Sequence, residues 1–170
     1  NKQEGWLVFG LTGMVGEGMR SRLLPADPPI WALSRRPQAD EPRLRWLAGE
    51  LPEPGPMPQA AAIASLGPLD VFAEWFANLD ATPARVVALG STSVHGKAGS
   101  PDPAERELVR TLESAERRLA EACAARGCTL TLLRPTLVWG RGRDRNLARW
   151  VGLARRLRWL PLPRGARGLR

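Results

Sequence analysis

The stretch VFGLTGMVGEG, residues 8–18, joins a short apolar run to a segment with helical spacing. It carries four glycines, Gly10, Gly13, Gly16 and Gly18. The residues GWLVFG (5–10) are apolar, few and ended by glycine, which is typical of a buried strand. The residues MVGEGMRSRLL (14–24) place apolar side chains on one side of a helix. The stretch therefore predicts a strand, a tight glycine turn and a helix, in that order.

Glycines at this place suit the binding of a diphosphate. A helix N-terminus presents unpaired N–H groups and a partial positive charge, and both favour phosphate. One glycine permits the turn, a second lets the backbone approach the ligand, and a third lets helix and strand pack closely. We expect cofactor contacts from Gly10, Thr12, Gly13, Met14, Val15 and Gly16. The glycines alone also fit a tight turn that binds nothing.

Apolar runs alternate with amphipathic segments along the rest of the chain. We predict strands within residues 29–34, 43–51, 60–65, 84–91 and 128–140, and helices over 69–80, 102–127 and 144–159. Strands that alternate with helices and read as plain apolar runs indicate a parallel sheet covered on both faces. The sequence therefore predicts an α/β fold of Rossmann type, a doubly wound parallel sheet with helices on both faces.

The end of the second predicted strand bears on the choice of cofactor. An acid there would bind the ribose 2′-hydroxyl of NAD, whereas arginine would accommodate the 2′-phosphate of NADP. The sequence ALSRRP supplies Ser34, Arg35 and Arg36, with no acid before Asp40. We therefore expect NADP to be preferred over NAD, unless both arginines are solvated surface charges. Glu50 and Leu51 end the third predicted strand, and we place Glu50 or Leu51 beside the adenine.

The net charge of +8 is unevenly distributed. Residues 1–140 hold 15 Lys and Arg against 16 Asp and Glu, and residues 141–170 hold ten arginines against the single acid Asp144. Such a basic end suits either an anionic surface or nucleic acid, or arginines that close over a phosphorylated ligand. No nucleic-acid recognition motif accompanies the charge, so we do not expect nucleic acid as a partner.

Composition bounds the setting of the protein. Cys123 and Cys128 are too few for a disulfide framework, and we expect reduced, packed thiols and a cytoplasmic location. We see no membrane span and no signal peptide. One histidine and two cysteines do not make a ligand set, so we expect no metal site. The oligomeric state cannot be inferred from the sequence.

The glycine spacing G-x-x-G-x-x-G resembles that of the extended short-chain dehydrogenase/reductase family, which includes sugar-nucleotide epimerases and dehydratases. The segment ALGSTSVHG (88–96) is similar to the family's fifth strand and the SSxxVYG-type residues after it. LLRPTLVWGRG (132–142) is similar to the family's LRPxxVYGPG, whose proline, here Pro135, lies beside the nicotinamide. SPDPAERELV (100–109) is similar to the atypical members called NAD-dependent epimerase/dehydratase-like. The resemblance implies an NAD(P)-binding domain over residues 1–142.

The resemblance does not extend to the family's proton relay. In the family, a tyrosine acts as general acid/base, a lysine four residues later lowers its pKa, and a serine positions the substrate oxygen. Alignment of SAERRL (114–119) with the family's EAERLL puts Leu108 and Leu112 in the tyrosine and lysine positions, and the chain contains no tyrosine. Ser91 matches the serine. His95 is our candidate for a substitute base, although it stands where the family has a packing tyrosine.

The resemblance also implies that most of the family's substrate-binding region lies beyond Arg170, so that residues 143–170 are a basic helix and the start of that region. Arginines in this half meet substrate phosphates in the family's sugar-nucleotide enzymes, which makes Arg141, Arg143, Arg145 and Arg164 candidates here. We assign the remaining arginines of the last predicted helix to its solvent-exposed face. The opposite, buried face then holds Trp150, Leu153, Leu157 and Leu160.

Two functions are consistent with these patterns. The first is an NAD(P)-dependent oxidoreductase or epimerase that acts on a nucleotide-sugar or other small carbonyl or hydroxyl substrate through an altered proton relay. The second is a dinucleotide-binding module without turnover, acting as a sensor or structural subunit. The glycine turn supports both equally, while the missing tyrosine and lysine favour the second.

Overall fold

A computed structural model describes residues 5–23, 27–136, 138 and 147–158, the last range with side chains from residue 151 onward. Its centre is a six-stranded sheet in which all neighbouring strands are parallel. The strands are β1 (Trp6–Phe9), β2 (Ile30–Ser34), β3 (Leu44–Ala48), β4 (Ala62–Ser65), β5 (Arg85–Leu89) and β6 (Thr129–Leu133). Their order across the sheet is β3-β2-β1-β4-β5-β6. The chain thus builds outward from β1 in one direction and then, after β3, in the other.

Five helices are described in the chain, α1 (Met14–Arg20), α2 (Leu69–Ala77), α3 (Ser93–Gly96), α4 (Pro103–Arg126) and α5 (Leu147–Leu157). The longest, α4, has the predicted ends. Asp102 accepts a hydrogen bond from the Ala104 N–H at 2.9 Å, and Gly127 stops the helix in the left-handed region at φ +66°. Pro103 occupies the first helical turn, where its missing N–H costs no hydrogen bond.

The sheet buries apolar side chains on both faces because successive side chains of a strand point to opposite sides. On one face, Leu7 and Phe9 of β1 join a cluster with α2 and α4. On the other face, Val8 joins a second cluster, against which Met19 of α1 packs. Helices therefore cover both faces, as the sequence predicts.

An aromatic group fixes α2 against the central strand. Phe9 lies edge-on to Trp75, with ring centroids 4.7 Å apart, and its ring is 5.7 Å from that of Phe72. Such aromatic pairs each contribute about 0.5–1.5 kcal/mol beyond the burial of their area. Since Phe9 is the last residue of β1, this packing holds the carboxyl end of the strand against α2.

Arg126 joins the C-terminal ends of α2 and α4. Its guanidinium donates to the carbonyl oxygens of Ala77 at 3.0 Å, Leu79 at 2.7 Å and Ala122 at 3.1 Å. The same group lies 5.3 Å from the centre of the Phe76 ring. One cation therefore satisfies terminal carbonyls of both helices.

Most elements are shorter than predicted; α1, for example, ends at Arg20 and β3 at Ala48. The predicted helix 69–80 ends at Ala77, and Asn78 caps it by donating to the Glu74 carbonyl. The predicted strand 60–65 begins at Ala62. The short helix α3 was not predicted, because STSVHG has the polar composition of a loop.

The chain divides into two units, residues 1–135 and 136–170. In the second unit, α5 exposes Leu153 and Leu157, at 39% and 53%. The expectation that these two leucines are buried beneath the helix is therefore wrong, since both are exposed. Our proposed boundary after residue 142 stays a prediction. Among the described residues, no helix is both long and apolar enough to cross a membrane.

Candidate functional site

A cavity of about 260 Å³ lies in the first unit, at the carboxyl ends of β1 to β4. It is lined by Phe9, Gly10, Thr12, Leu33, Ser34, Arg35, Gly49, Glu50, Leu51, Ser65, Gly67, Pro68 and Val71. β1 and β4 are neighbours, but the connections that leave them build the sheet in opposite directions. In open parallel sheets, ligands bind outside the carboxyl ends of the strands at such a switch point. The cavity occupies that place.

Gly10 forms the rim of the cavity between β1 and β4. Its φ of +78° is in the left-handed region, where a side chain is strained. A Cβ at this position would also lie 2.9 Å from both the Leu66 carbonyl carbon and the Gly67 nitrogen. The rim is therefore bare backbone because neither the conformation nor the space admits a side chain.

The next two glycines lie beside the cavity without lining it. Gly16 packs so closely on the preceding turn that a Cβ would lie 2.4 Å from the Leu11 Cα and carbonyl oxygen. Gly13 precedes α1 as its N-cap and donates its N–H to the Gly10 carbonyl at 2.9 Å. Met14 and Val15 form the first turn of α1. Of the predicted loop contacts, the structure thus brings Gly10 and Thr12 to the cavity itself.

The mouth of the cavity carries opposite charges. The Arg35 guanidinium lies 3.3 Å from the Glu50 carboxylate, and the two side chains are 74% and 64% exposed. The Ser34 hydroxyl donates to the Arg36 carbonyl at 2.7 Å and so closes the turn after β2. Leu51 lines the cavity and packs against the main core. The sequence predicted these five residues around one ligand, and apart from Arg36 they line the cavity.

Ser65, the last residue of β4, also lines the cavity. Its side chain is 1% exposed, and its hydroxyl oxygen has no hydrogen-bond partner. Within the described part of the chain, only the Trp46 indole nitrogen shares this condition. A buried polar group without a partner costs about 1–3 kcal/mol. Sequence reasoning missed Ser65, although its position at the end of the strand predicted over 60–65, directly before Leu66 and Gly67, could have indicated it.

Ser91 and Pro135 follow β5 and β6, at the same edge of the sheet but outside the cavity lining. Thr92 joins the two loops, because its N–H and hydroxyl both donate to the Pro135 carbonyl, at 3.4 and 3.3 Å. The Ser91 hydroxyl accepts from the Ser93 N–H at 3.1 Å and lies 3.0 Å from the Ser93 hydroxyl. Ser91 therefore closes the turn that begins α3.

His95 lies in α3 with its side chain exposed. Leu108 of α4, in the position of the family's tyrosine, is 45% exposed, whereas Leu112, in the lysine position, packs against the core. Neither leucine can exchange a proton. Within the described chain, His95 therefore remains the candidate base beside Ser91.

Other ionisable groups near this turn form ion pairs. Lys97 Nζ lies 2.6 Å from a Glu105 carboxylate oxygen, and the Ser100 hydroxyl donates to the other oxygen at 2.6 Å. The Lys97 and Ser100 hydrogen bonds lower the pKa of Glu105 below its ordinary 4.5. Glu107 pairs with Arg110 at 2.6 Å. These pairings make Lys97 and the two glutamates poor substitutes for a general base.

The arginines proposed for substrate, Arg141, Arg143, Arg145 and Arg164, lie outside the described residues. Both thiols are free, and burial raises the pKa of Cys123 to about 12. Among the described residues, no group of three His, Cys, Asp or Glu side chains could hold a metal ion. The expectation that the protein needs no metal stays a prediction.

Solved structures with bound NAD share this architecture. MoeE5 in complex with UDP-glucuronic acid and NAD is 23% identical over 86% of this chain, with a TM-score of 0.65. The Rossmann-type fold is confirmed. A short-chain dehydrogenase/reductase superfamily protein from Agrobacterium tumefaciens with bound NAD is 19% identical over 76% of the chain (TM-score 0.59), and the Bordetella bronchiseptica enzyme WbmH in complex with NAD+ is 12% identical over 78% (TM-score 0.53).

The chain spans 60%, 48% and 56% of the length of these three proteins, respectively. No family model matches the sequence, and no curated protein matches it. The resemblance to extended short-chain dehydrogenase/reductases is therefore confirmed as a likeness of fold.

Proposed function

We propose that the protein binds a nicotinamide adenine dinucleotide in the manner of epimerase/dehydratase-type proteins, with the adenosine diphosphate half in the cavity beside Gly10. The observation that carries this proposal is the position of the cavity, at the carboxyl edge of the sheet astride the β1/β4 switch point, with bare backbone at its rim. The structures that share the fold support it, because they contain NAD.

The size of the cavity limits what it can enclose. Pockets that enclose a drug-sized ligand have volumes of about 300–1,000 Å³, so 260 Å³ suits one half of a dinucleotide. We place the adenine beside Glu50 and Leu51 and the ribose beside Ser34 and Arg35. The nicotinamide half then extends along the sheet edge toward Ser91 and Pro135. Gly13, Met14, Val15 and Gly16 would face the diphosphate through the start of α1.

The preference for NADP depends on Arg35 and Arg36. A 2′-phosphate would gain from both guanidinium groups, but Glu50 already engages Arg35 and repels a phosphate. We expect Arg35→Ala to weaken NADP binding and leave NAD binding unchanged, and Glu50→Gln to strengthen NADP binding. Isothermal titration of each variant with NAD and NADP measures both effects. Equal affinities of the native protein for the two cofactors, unmoved by Arg35→Ala, would contradict the preference.

The reaction we propose is hydride transfer between the cofactor and a small carbonyl or hydroxyl substrate, with an atypical proton relay. Ser91 would position the substrate oxygen and His95 would exchange the proton. We propose a nucleotide-sugar as the substrate class, because the structures of MoeE5 contain UDP-glucuronic acid or UDP-glucose. The arginines at 141, 143, 145 and 164 would meet its phosphates.

Free thiols support a cytoplasmic setting.

A binding module without turnover is the second candidate. Leu108 and Leu112 favour it, because they put two apolar side chains where the related enzymes hold their proton relay, and Ser91 is engaged in a turn. Such a protein would retain the cofactor and act as a sensor or a structural subunit.

A hydride-transfer assay separates the two candidates. NADH and NADPH formation and consumption are followed at 340 nm with a panel of nucleotide-sugars and carbonyl compounds. Turnover that falls on His95→Ala and Ser91→Ala supports the enzyme, provided that titration shows unchanged cofactor affinity. Tight cofactor binding with no turnover on any substrate supports the module. Failure to bind either cofactor overturns both.

A further inference from the structure

We infer that Ser65 is a ligand-binding residue, whose hydroxyl forms a hydrogen bond with an oxygen of the adenosine diphosphate half of the dinucleotide. This inference rests on the proposed function, since it names a contact of the same cavity. The position was not expected from the sequence, and the contact is made by a side chain, unlike the backbone rim at Gly10.

The first support is the missing partner of the Ser65 hydroxyl. The residue is 1% exposed and its hydroxyl oxygen is closed off from water, yet no group among the described residues forms a hydrogen bond with it. Most buried hydroxyl groups in folded proteins are paired. A partner from outside the chain resolves this, and the residue lines a cavity through which one can arrive.

The second support is the position of Ser65 in the sheet. Ser65 pairs with Phe9 in the register of β4 with β1. Phe9 directly precedes Gly10, so Ser65 lies next to the glycine turn. Leu66 and Gly67, the residues after Ser65, are those that approach Gly10 most closely. The hydroxyl therefore belongs to the part of the cavity where bare backbone meets the ligand.

We expect rotation of the Ser65 side chain to bring its hydroxyl to the ligand. Serine χ1 has three staggered positions, and rotation about the Cα–Cβ bond moves the oxygen between them. The oxygen is closed off from water in this structure, and on binding it would turn toward the cavity. A hydroxyl both donates and accepts, so it suits a ribose hydroxyl as well as a phosphate oxygen.

Ser65→Ala tests the inference in the 170-residue chain, with NAD affinity measured by isothermal titration well below the melting temperature. Loss of one hydrogen bond predicts an affinity about three- to tenfold weaker. The melting temperature of the ligand-free variant should stay the same or rise, because an unpaired buried hydroxyl has been removed. Ser65→Cys, with nearly the same size and a weak donor, should also bind NAD more weakly and serves if the alanine variant fails to fold.

Ser100→Ala is the matched control, because its hydroxyl is outside the cavity and is paired with Glu105. It should lower the melting temperature and leave NAD affinity unchanged. Titration with adenosine, AMP and ADP then locates the contact. A Ser65→Ala effect already present with adenosine assigns a ribose hydroxyl, and an effect that appears with AMP or ADP assigns a phosphate oxygen.

The results separate this inference from the proposed function. If the native protein binds neither NAD nor NADP, both are overturned. If it binds NAD and Ser65→Ala binds equally well, only the role of Ser65 is overturned, whatever happens to the melting temperature. An effect seen with NAD but with none of the three adenosine compounds also overturns it.

Discussion

Gly16 and Gly18 stand two residues apart in α1 but have different surroundings. A Cβ on Gly16 would lie 2.4 Å from the backbone of Leu11, whereas a Cβ on Gly18 would meet only the end of the Arg22 side chain, at 3.8 Å. Backbone cannot yield as a flexible side chain can. The contrast distinguishes a glycine required for close packing from one that is merely present in the same stretch.

We expect Gly16→Ala to lower the free energy of unfolding by about 2 kcal/mol or more, because the added methyl overpacks the contact between α1 and the turn. Gly18→Ala should raise it by about 0.5–1 kcal/mol, because alanine is the better helix former. Urea denaturation of both variants measures the two changes. A similar loss in both would mean that the whole stretch, and not the Leu11 contact, requires glycine.

Around the cavity, sequence reasoning identified residues that lie at the end of a predicted strand or in the loop directly after it. Gly10, Thr12, Ser34 and Arg35 were identified because strand ends and glycine turns leave a local signal. Ser65 was not, because its distinguishing feature is the lack of a partner, which depends on how β1, β4 and the loop after β4 pack. The Arg35–Glu50 pair was missed for the same reason, since it joins residues fifteen positions apart.

Among the secondary-structure elements, the start of α4 is held to the loop after α3 by two side-chain hydrogen bonds. Lys97 and Ser100 both donate to the Glu105 carboxylate. These bonds hold the pKa of Glu105 below 4.5. A carboxylate with a lowered folded-state pKa stabilises the protein above its unfolded-state pKa, and that contribution is lost as the pH falls through the folded-state value.

We therefore expect Lys97→Met to lower the melting temperature at pH 7 and to have a progressively smaller effect below pH 4.5. Thermal unfolding of the native protein and the variant between pH 7 and pH 3 measures this. Arg110→Met is a control for a surface pair, since Arg110 and Glu107 are both about two-thirds exposed, and its effect should be small at every pH. A Lys97→Met effect that is equal at pH 7 and pH 3 would show that the stem of the lysine, not its charge, stabilises this loop.

Elements with strong local signals were predicted well, and those that depend on tertiary packing less so. The N-cap, first-turn proline and terminal glycine of α4 all lie in the sequence itself, and both ends are confirmed. The end of α2 was predicted three residues too late, because apolar Leu79 continues the helical pattern while the helix is already capped by Asn78. The helix α3 was not predicted, because it depends on hydrogen bonds that the sequence does not show. The Ser93 N–H donates to the Ser91 hydroxyl, and the Thr92 hydroxyl donates to the Pro135 carbonyl in the loop after β6.

For the molecule as a whole, the proposed ligand should act as a stabiliser. A ligand that binds only the folded state raises the free energy of unfolding by about 2.7 kcal/mol at one hundred times its dissociation constant. We expect NAD or NADP to raise the melting temperature in a concentration-dependent way, and ADP to reproduce part of the rise. Nicotinamide, which lacks the adenosine half, should give none. A shift with nicotinamide alone would place the principal contacts outside the cavity.

The single Arg126 guanidinium that holds the carbonyl ends of α2 and α4 has a consequence for how this protein opens. Because fraying of either helix end breaks hydrogen bonds of the same guanidinium, we expect the two ends to exchange amide hydrogens for deuterium as one cooperative unit. Arg126→Lys retains the charge but not the planar set of donors, and it should let the last turn of α2 exchange faster than that of α4. The order of exchange would then show which of the two helices, α2 or α4, unfolds first at its C-terminal end.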